Sequence, residues 1–401
     1  MKRLAIAGAA LAVAGLTAAG CASSGGSGSA SGSSSALFRV LVVTGLSGGT
    51  ASESQMALKQ FKGTAADLDQ SGGIDGRKIQ VSSVNTQGDP TTAVTVLQQA
   101  LASGPKPDLV FAGLSSGETS ALLPILNRDK ILNTFSANDG TLNNPQKYPY
   151  SFGFTLSSAD SQLGIAAYVK KKHITKISTL FPNDDFGQGE AAAIATVLNG
   201  TGVTLHQTSY DDQATDYTVQ WQAAISAKPQ VVLADCFGTD CGPLLASRAK
   251  ASANDIPVIL GVGAASTGQG PESFASGSSL DNASIELYSY QVYKTAGQQS
   301  SAFSKMLSNI SPANGSIVPG VLPADQLRGV ALAYEHAKSG SPSDIVQEMY
   351  KLTSEPADTW STGWNVKFSP ASHFIETTPS QNDTVVVKVG PLVDGMFKSG
   401  Q

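Results

Sequence analysis

Residues 38–50 read Phe-Arg-Val-Leu-Val-Val-Thr-Gly-Leu-Ser-Gly-Gly-Thr, and this stretch decides the class of fold. A short Val-rich apolar run reads as a strand, and the Gly and Ser residues from Gly45 to Gly49 end it. Helical spacing begins near Glu53, continues through Leu58, Phe61, Ala65 and Leu68, and stops at Gly72-Gly73. A strand, a glycine-rich loop and a helix make the first half of a βαβ unit.

Downstream the unit recurs. Residues 78–84 form the next predicted strand. Asp89-Pro90 then opens a helix with a capping carboxylate and a proline at its first position, where a missing N–H costs nothing. A strand at 109–112, a helix through Leu122, Leu123 and Leu126, and a strand at 131–135 complete a first set. A second set follows: a helix through Leu163, Ala167 and Val169, strands at 176–181, 203–208, 231–234 and 256–260, and helices between them. Alternation of this kind predicts an α/β protein with parallel sheets covered by helices. Two sets of similar size predict two lobes of similar build. Later elements, with helices near 303–310, 325–338 and 345–352 and a strand at 384–389, imply that the chain crosses between lobes more than once.

Upstream, Lys2 and Arg3 precede an apolar run from Leu4 to Leu16 and then small residues. These are the parts of a secretory signal, and the run is shorter than the ~20 residues of a membrane span. The segment Thr17-Ala18-Ala19-Gly20-Cys21 resembles a bacterial lipobox, with Ala18 where leucine is usual; the resemblance implies acylation of Cys21. The other reading is an ordinary signal peptide cut nearby, with Cys21 an incidental thiol. Residues 22–35 are almost all Ser, Gly and Ala, a composition that cannot bury apolar surface and serves as a tether. The signal is therefore assigned to 1–20 and the lipidated cysteine with its tether to 21–36.

About 365 of the 401 residues remain, enough for two domains. With 14% charged residues and a net charge of −5, the chain has no basic footprint for nucleic acid. Beyond Cys21 there are two cysteines, Cys236 and Cys241, whose spacing fits a small disulfide loop in an oxidising compartment. A metal site or two free thiols are the alternatives, and none of the four histidines is near them in sequence. No metal or cofactor is expected.

Ligands of open parallel sheets bind beyond the carboxyl ends of the strands. That rule selects loops 45–52, 115–118, 136–139, 183–187, 236–240 and 261–266. Ser115-Ser116-Gly117 precedes a helix, where unpaired N–H groups favour an anion such as a carboxylate. Phe186 and Phe237 lie in such loops and suit the apolar wall of a pocket. All these residues also serve as caps, turn formers or core aromatics in other proteins. An enzyme is the competing class: Gly45-Leu46-Ser47-Gly48-Gly49 matches the G-x-S-x-G elbow of esterases. The helix begins too late after Ser47 for that elbow, and neither His336 nor His373 has an evident partner.

Taken in order, Gly45-Leu46-Ser47-Gly48, Gly72-Gly73-Ile74-Asp75-Gly76-Arg77-Lys78-Ile79, Gly88-Asp89-Pro90, Ile131-Leu132 with Ser136, Asp184-Asp185-Phe186-Gly187-Gln188-Gly189 and Ile256-Pro257-Val258 resemble the type I periplasmic-binding family that includes the branched-chain amino acid receptors. The resemblance implies two Rossmann-like lobes in a flytrap arrangement and three crossings, near 154–157, Tyr290 and 343–345. The lobes would then be 37–154 plus 291–344 and 155–290 plus 345–398. It implies a small-molecule ligand, an ABC transporter permease as membrane partner, a monomer, and a location outside the cytoplasmic membrane. It also implies ligand contacts at Ser116, with Ser115, Gly117, Ser136, Asn138 and Asp139 around it, and at Phe186 and Phe237 from the second lobe. Two departures stand out. Gly263 occupies the place of the acid that binds a ligand ammonium, and Glu53 that of an aromatic lid. Glu53, Asp139 or Asp185 would have to supply the charge for an amino acid; an amide or a small organic acid is the equal expectation. A sensor signalling through a separate membrane partner is the alternative role on the same fold.

Overall fold

The computed structural model describes residues 37–267, 277–292, 299–310, 316–376, 384–390, 392–393 and 395–398. The expected signal, Cys21 and the tether lie outside the described residues.

The first strand, β1 (Phe38–Thr44), shows why the apolar run 40–43 forms here. Phe38, Val40 and Val42 enter one core cluster with Phe61 and Phe111. Leu41 and Val43 enter another, with Leu97, Leu122 and Leu126. Alternate side chains leave opposite faces of a strand, so burial on both faces requires apolar residues at every step. Around β1 lie β2 (Ile79–Asn85), β3 (Leu109–Phe111), β4 (Asn133–Phe135) and β5 (Ser151–Gly153), in the order β2-β1-β3-β4-β5. All pairs are parallel.

Helices cover this sheet: α1 (Ala51–Gln70), α2 (Pro90–Ser103) and α3 (Ser116–Arg128). The Asp89 cap behaves as its sequence predicts, its side chain accepting from Thr92 N at 2.6 Å. The chain then enters α4 (Ser158–Lys171), capped by Ser157, and the second sheet. Its strands are β6 (Lys176–Pro182), β7 (Thr204–Tyr210), β8 (Val231–Ala234), β9 (Val258–Leu260) and β10 (Ala283–Tyr288). An antiparallel edge strand, β11 (Thr384–Lys388), completes the order β11-β10-β9-β8-β6-β7. Its helices are α5 (Asp185–Leu198), α6 (Thr218–Ser226), α7 (Cys241–Lys250) and the short α8 (Val262–Ser266). Cys236 and Cys241 are joined as a disulfide. A small ribbon of β12 (Leu392–Val393) and β13 (Met396–Phe397) lies apart from both sheets.

Among the described residues three α-helices follow β10: α9 (Ser301–Ile310), α10 (Val318–His336) and α11 (Pro342–Met349). All return to the first lobe. Here the expected third crossing is corrected. Ile345, Val346 and Met349 bury in the first lobe's core, as do Trp360, Trp364 and Ile375. The apolar stripe of α11 has its partner in α10, so the chain stays with the first lobe as far as Ile375. It rejoins the second sheet at Thr384.

Among the described residues no helix is long and apolar enough to cross a membrane, and no group of three or more His, Cys, Asp or Glu could hold a metal ion.

Candidate functional site

The carboxyl ends of both sheets face a shared cavity of about 240 Å3. From the first lobe the wall is made by α3 and the loops after β1 and β4. Ser115 caps α3, its hydroxyl oxygen accepting from Glu118 N at 3.3 Å. Thr119 N bonds to the Ser115 carbonyl. That leaves the amides of Ser116 and Gly117, both residues of the cavity wall, without a partner inside the helix. The Ser116 side chain adds a hydroxyl that is only 2% exposed and has no hydrogen-bond partner among the described residues. A buried unmet hydroxyl costs about 1–3 kcal/mol. A ligand oxygen that met it would recover that cost, and the positive end of the helix favours an anionic one.

Behind this wall the polar groups are held. Ser136 takes a hydrogen bond from Gln326 Nε2 at 2.7 Å. Glu118 accepts from the hydroxyls of Thr86 and Ser115, and burial pushes its carboxyl up. Asn138 reaches across the lobes, donating from Nδ2 to Glu190 Oε1 at 2.7 Å. Glu190 also accepts from Gln162 Nε2, and burial pushes it up to about 7.

The second lobe supplies α5, α8 and the disulfide-closed loop before α7. Phe186 and Phe237 give the cavity apolar surface, joined by Val262 and Tyr288. Gly263 leaves no room for a side chain. A Cβ there would lie 2.7 Å from the Cys236 carbonyl oxygen and 2.8 Å from Phe186 Cζ. The acid absent from this position is therefore excluded by the backbone. Asp235 fills the space behind it, accepting from the amides of Cys236, Gly263 and Ala264. Burial, with Glu190 nearby, holds the Asp235 carboxyl well above the usual range.

The lobes also touch at the cavity mouth. Thr239 N donates to the Gly49 carbonyl at 3.2 Å. Gly238 makes that approach possible: its φ is +84° and an added Cβ would stand 2.4 Å from Gly49 O.

Of the residues singled out from sequence, Ser115, Ser116, Gly117, Ser136, Asn138, Phe186, Phe237 and Gly263 line the cavity together. Glu53 and Asp139 stand off it. Glu53 lies on the buried face of α1, and Asp139 caps the turn at Gly140–Leu142 through the amide and hydroxyl of Thr141. Asp185 is not on the wall either. Three acids that are on it, Asp184, Asp212 and Asp240, were not predicted as ligand contacts, and neither were Pro319, Leu322 and Pro323 of α10. The last three follow i, i+3, i+4 spacing, a readable stripe; the acids gave only their place at strand ends. The esterase alternative gains no support. Ser47 Oγ takes a hydrogen bond from Asn85 Nδ2, while the ring nitrogens of His373 face the Tyr350 hydroxyl and the Ser151 carbonyl.

Twin parallel α/β lobes shut on a cavity at their strand ends define a two-lobed binding protein. The chain belongs to the periplasmic binding protein family, which its sequence matches over residues 38–352. Solved structures agree on the fold. A periplasmic binding protein type 1 from Bordetella pertussis Tohama I superposes with a TM-score of 0.76 at 16% identity, covering 88% of this chain and 97% of its own. The branched-chain amino acid transporter substrate binding protein of Streptococcus pneumoniae, in complex with isoleucine, gives 0.72 at 16% identity, covering 91% and 98%. A fatty acid ABC transporter substrate-binding protein from Thermomonospora curvata gives 0.73 at 14%, covering 90% of each chain. A search of curated proteins found no match.

Proposed function

We propose that this protein is an extracytoplasmic solute receptor that captures a small organic molecule between its lobes and presents it to an ABC importer, with Cys21 as its lipid anchor. One observation carries the reading: a buried, unpartnered Ser116 hydroxyl beside the unpaired amides of a helix N-terminus, on the wall of a cavity shared by both lobes. The volume of about 240 Å3 falls below the ~300–1,000 Å3 of drug-sized sites, which suits a metabolite. A ligand that touches both lobes favours the shut form by the contacts it makes only there. The fatty acid and isoleucine proteins among its structural neighbours suggest that the anionic end of the ligand is the common element.

Thermal-shift screening against amino acids, amides and organic acids tests this. One chemical class is expected to stabilise the protein, and Ser116→Ala combined with Phe237→Ala is expected to remove the effect. Stabilisation unchanged in that double variant would place the ligand elsewhere. Labelling of the expressed protein with a fatty acid, lost in Cys21→Ala, tests the anchor.

A further inference from the structure

Among the described residues the second-lobe wall carries three carboxyl groups, Asp184, Asp212 and Asp240, and no Lys, Arg or His lines the cavity. Asp240 differs from the others in being 6% exposed. Its Oδ1 accepts from Phe237 N at 3.1 Å, and its Oδ2 lies 2.6 Å from the Tyr210 hydroxyl. The same hydroxyl lies 2.7 Å from the Asp235 carbonyl oxygen. A phenol has one proton to give. Both short contacts are satisfied at once when Asp240 is itself protonated, donating to the Tyr210 oxygen while Tyr210 donates to the Asp235 carbonyl. The neighbours of Asp240 argue the same way. Asp211 and Asp212 follow β7, Asp235 follows β8, and Tyr210 and Tyr217 flank the group; none of these brings a positive charge. Burial pushes the Asp240 carboxyl up to about 7.

Across the same cavity, the Ser116 hydroxyl and the amides of α3 are set for an anionic group. We infer that Asp240 receives the cationic end of the same ligand, giving up its proton as the cation docks while the Tyr210 hydroxyl turns from the Asp235 carbonyl to the Asp240 carboxylate. This rests on the solute-receptor reading and narrows its ligand to a small zwitterion. Gly263 explains why the acid comes from the loop before α7: at position 263 there is no space for one.

The consequence is a binding step coupled to proton release. At pH 6 Asp240 is mostly protonated, so each ligand bound expels nearly one proton; at pH 8 it expels few. Affinity for a zwitterion should then fall about tenfold from pH 8 to pH 6, as linkage requires.

Isothermal titration of the full chain with matched pairs tests this: isoleucine and 3-methylpentanoate, phenylalanine and 3-phenylpropionate, glutamine and 4-carbamoylbutanoate. Each is run at pH 6 and pH 8 in two buffers of different ionisation enthalpy. At least one amino acid is expected to bind tenfold or more tightly than its deaminated partner and to release close to one proton at pH 6. Asp240→Asn, whose amide can donate to Tyr210 as the protonated acid does, should abolish the release and flatten the pH dependence. Tyr210→Phe should keep binding but shift its pH midpoint. The inference is overturned if no amino acid outbinds its partner, or if the tighter one binds without releasing a proton. A deaminated acid that binds as tightly as its amino acid, and is weakened about tenfold in Ser116→Ala, would leave the receptor standing and remove only the zwitterion. Absence of binding by any solute class would remove both.

Discussion

The two walls of the cavity are made of different electrostatic material. The α3 wall offers fixed dipoles: two amides, a hydroxyl and a cap, none of which changes charge near neutral pH. The opposite wall, with the core behind it, is built from acids. Glu190, Asp235, Asp240 and Glu286 are all buried, and burial raises every one of their carboxyls. The lobe's buried cation does not answer them, since Arg248 donates to the carbonyls of Ser279, Asp281, Asn254 and Ile256. In the first lobe the buried Asp325 does have a cation, Arg328 at 3.2 Å. One wall is set by geometry, while the other is tuned through protonation.

That contrast can be broken at its seam. Gly238→Val would force a side chain into the Gly49 carbonyl in a backbone region closed to β-branched residues, at several kcal/mol. Ligand affinity should fall about a hundredfold or more, and solution scattering should report an open form in the presence of ligand. The acidic side is sharpened by Glu190→Gln. The folded carboxyl sits at about 7 against an ordinary 4.5, so the unfolded chain loses its proton first. The stability this provides is complete below about pH 4.5 and is lost as pH rises through 7, by about 3 kcal/mol. Urea melts from pH 5 to 8 should show that decline, and the variant should show less of it.

Removing the disulfide with Cys236→Ala and Cys241→Ala should cost about 2 kcal/mol by chain entropy for so short a loop. The melting temperature reads the cost, and the loosened loop carries Phe237 and Asp240, so affinity should drop with it. The smallest effect belongs to the dipolar wall. Ser116→Ala should weaken binding by about tenfold at every pH between 6 and 8. It should leave the unliganded melting point unchanged or slightly higher, because an unmet buried hydroxyl has gone.

Much of the frame was legible in the sequence. The runs at Phe38–Thr44 and Val231–Ala234 are strands from end to end, and Asp89-Pro90 opens its helix, because each signal is local. Strand β5 was not legible: three residues carry too little periodicity, and its pairing with β4 is set by the fold. The third crossing failed for the same reason, since the stripe on α11 says that the helix is buried and not against which lobe. At the site, the strand-end rule found the loops. It could not say that Asp139 would engage its carboxylate with Thr141, or that Asp240, beside the disulfide, would line the cavity.

The bond between Thr239 and Gly49 is main chain to main chain. A clasp of that kind is indifferent to what is carried inside. On the proposed receptor reading, residues deeper in the cleft could be exchanged, and the cargo changed with them, without redrawing this main-chain contact. Whatever docks against the shut molecule would then meet the same outer profile for every cargo.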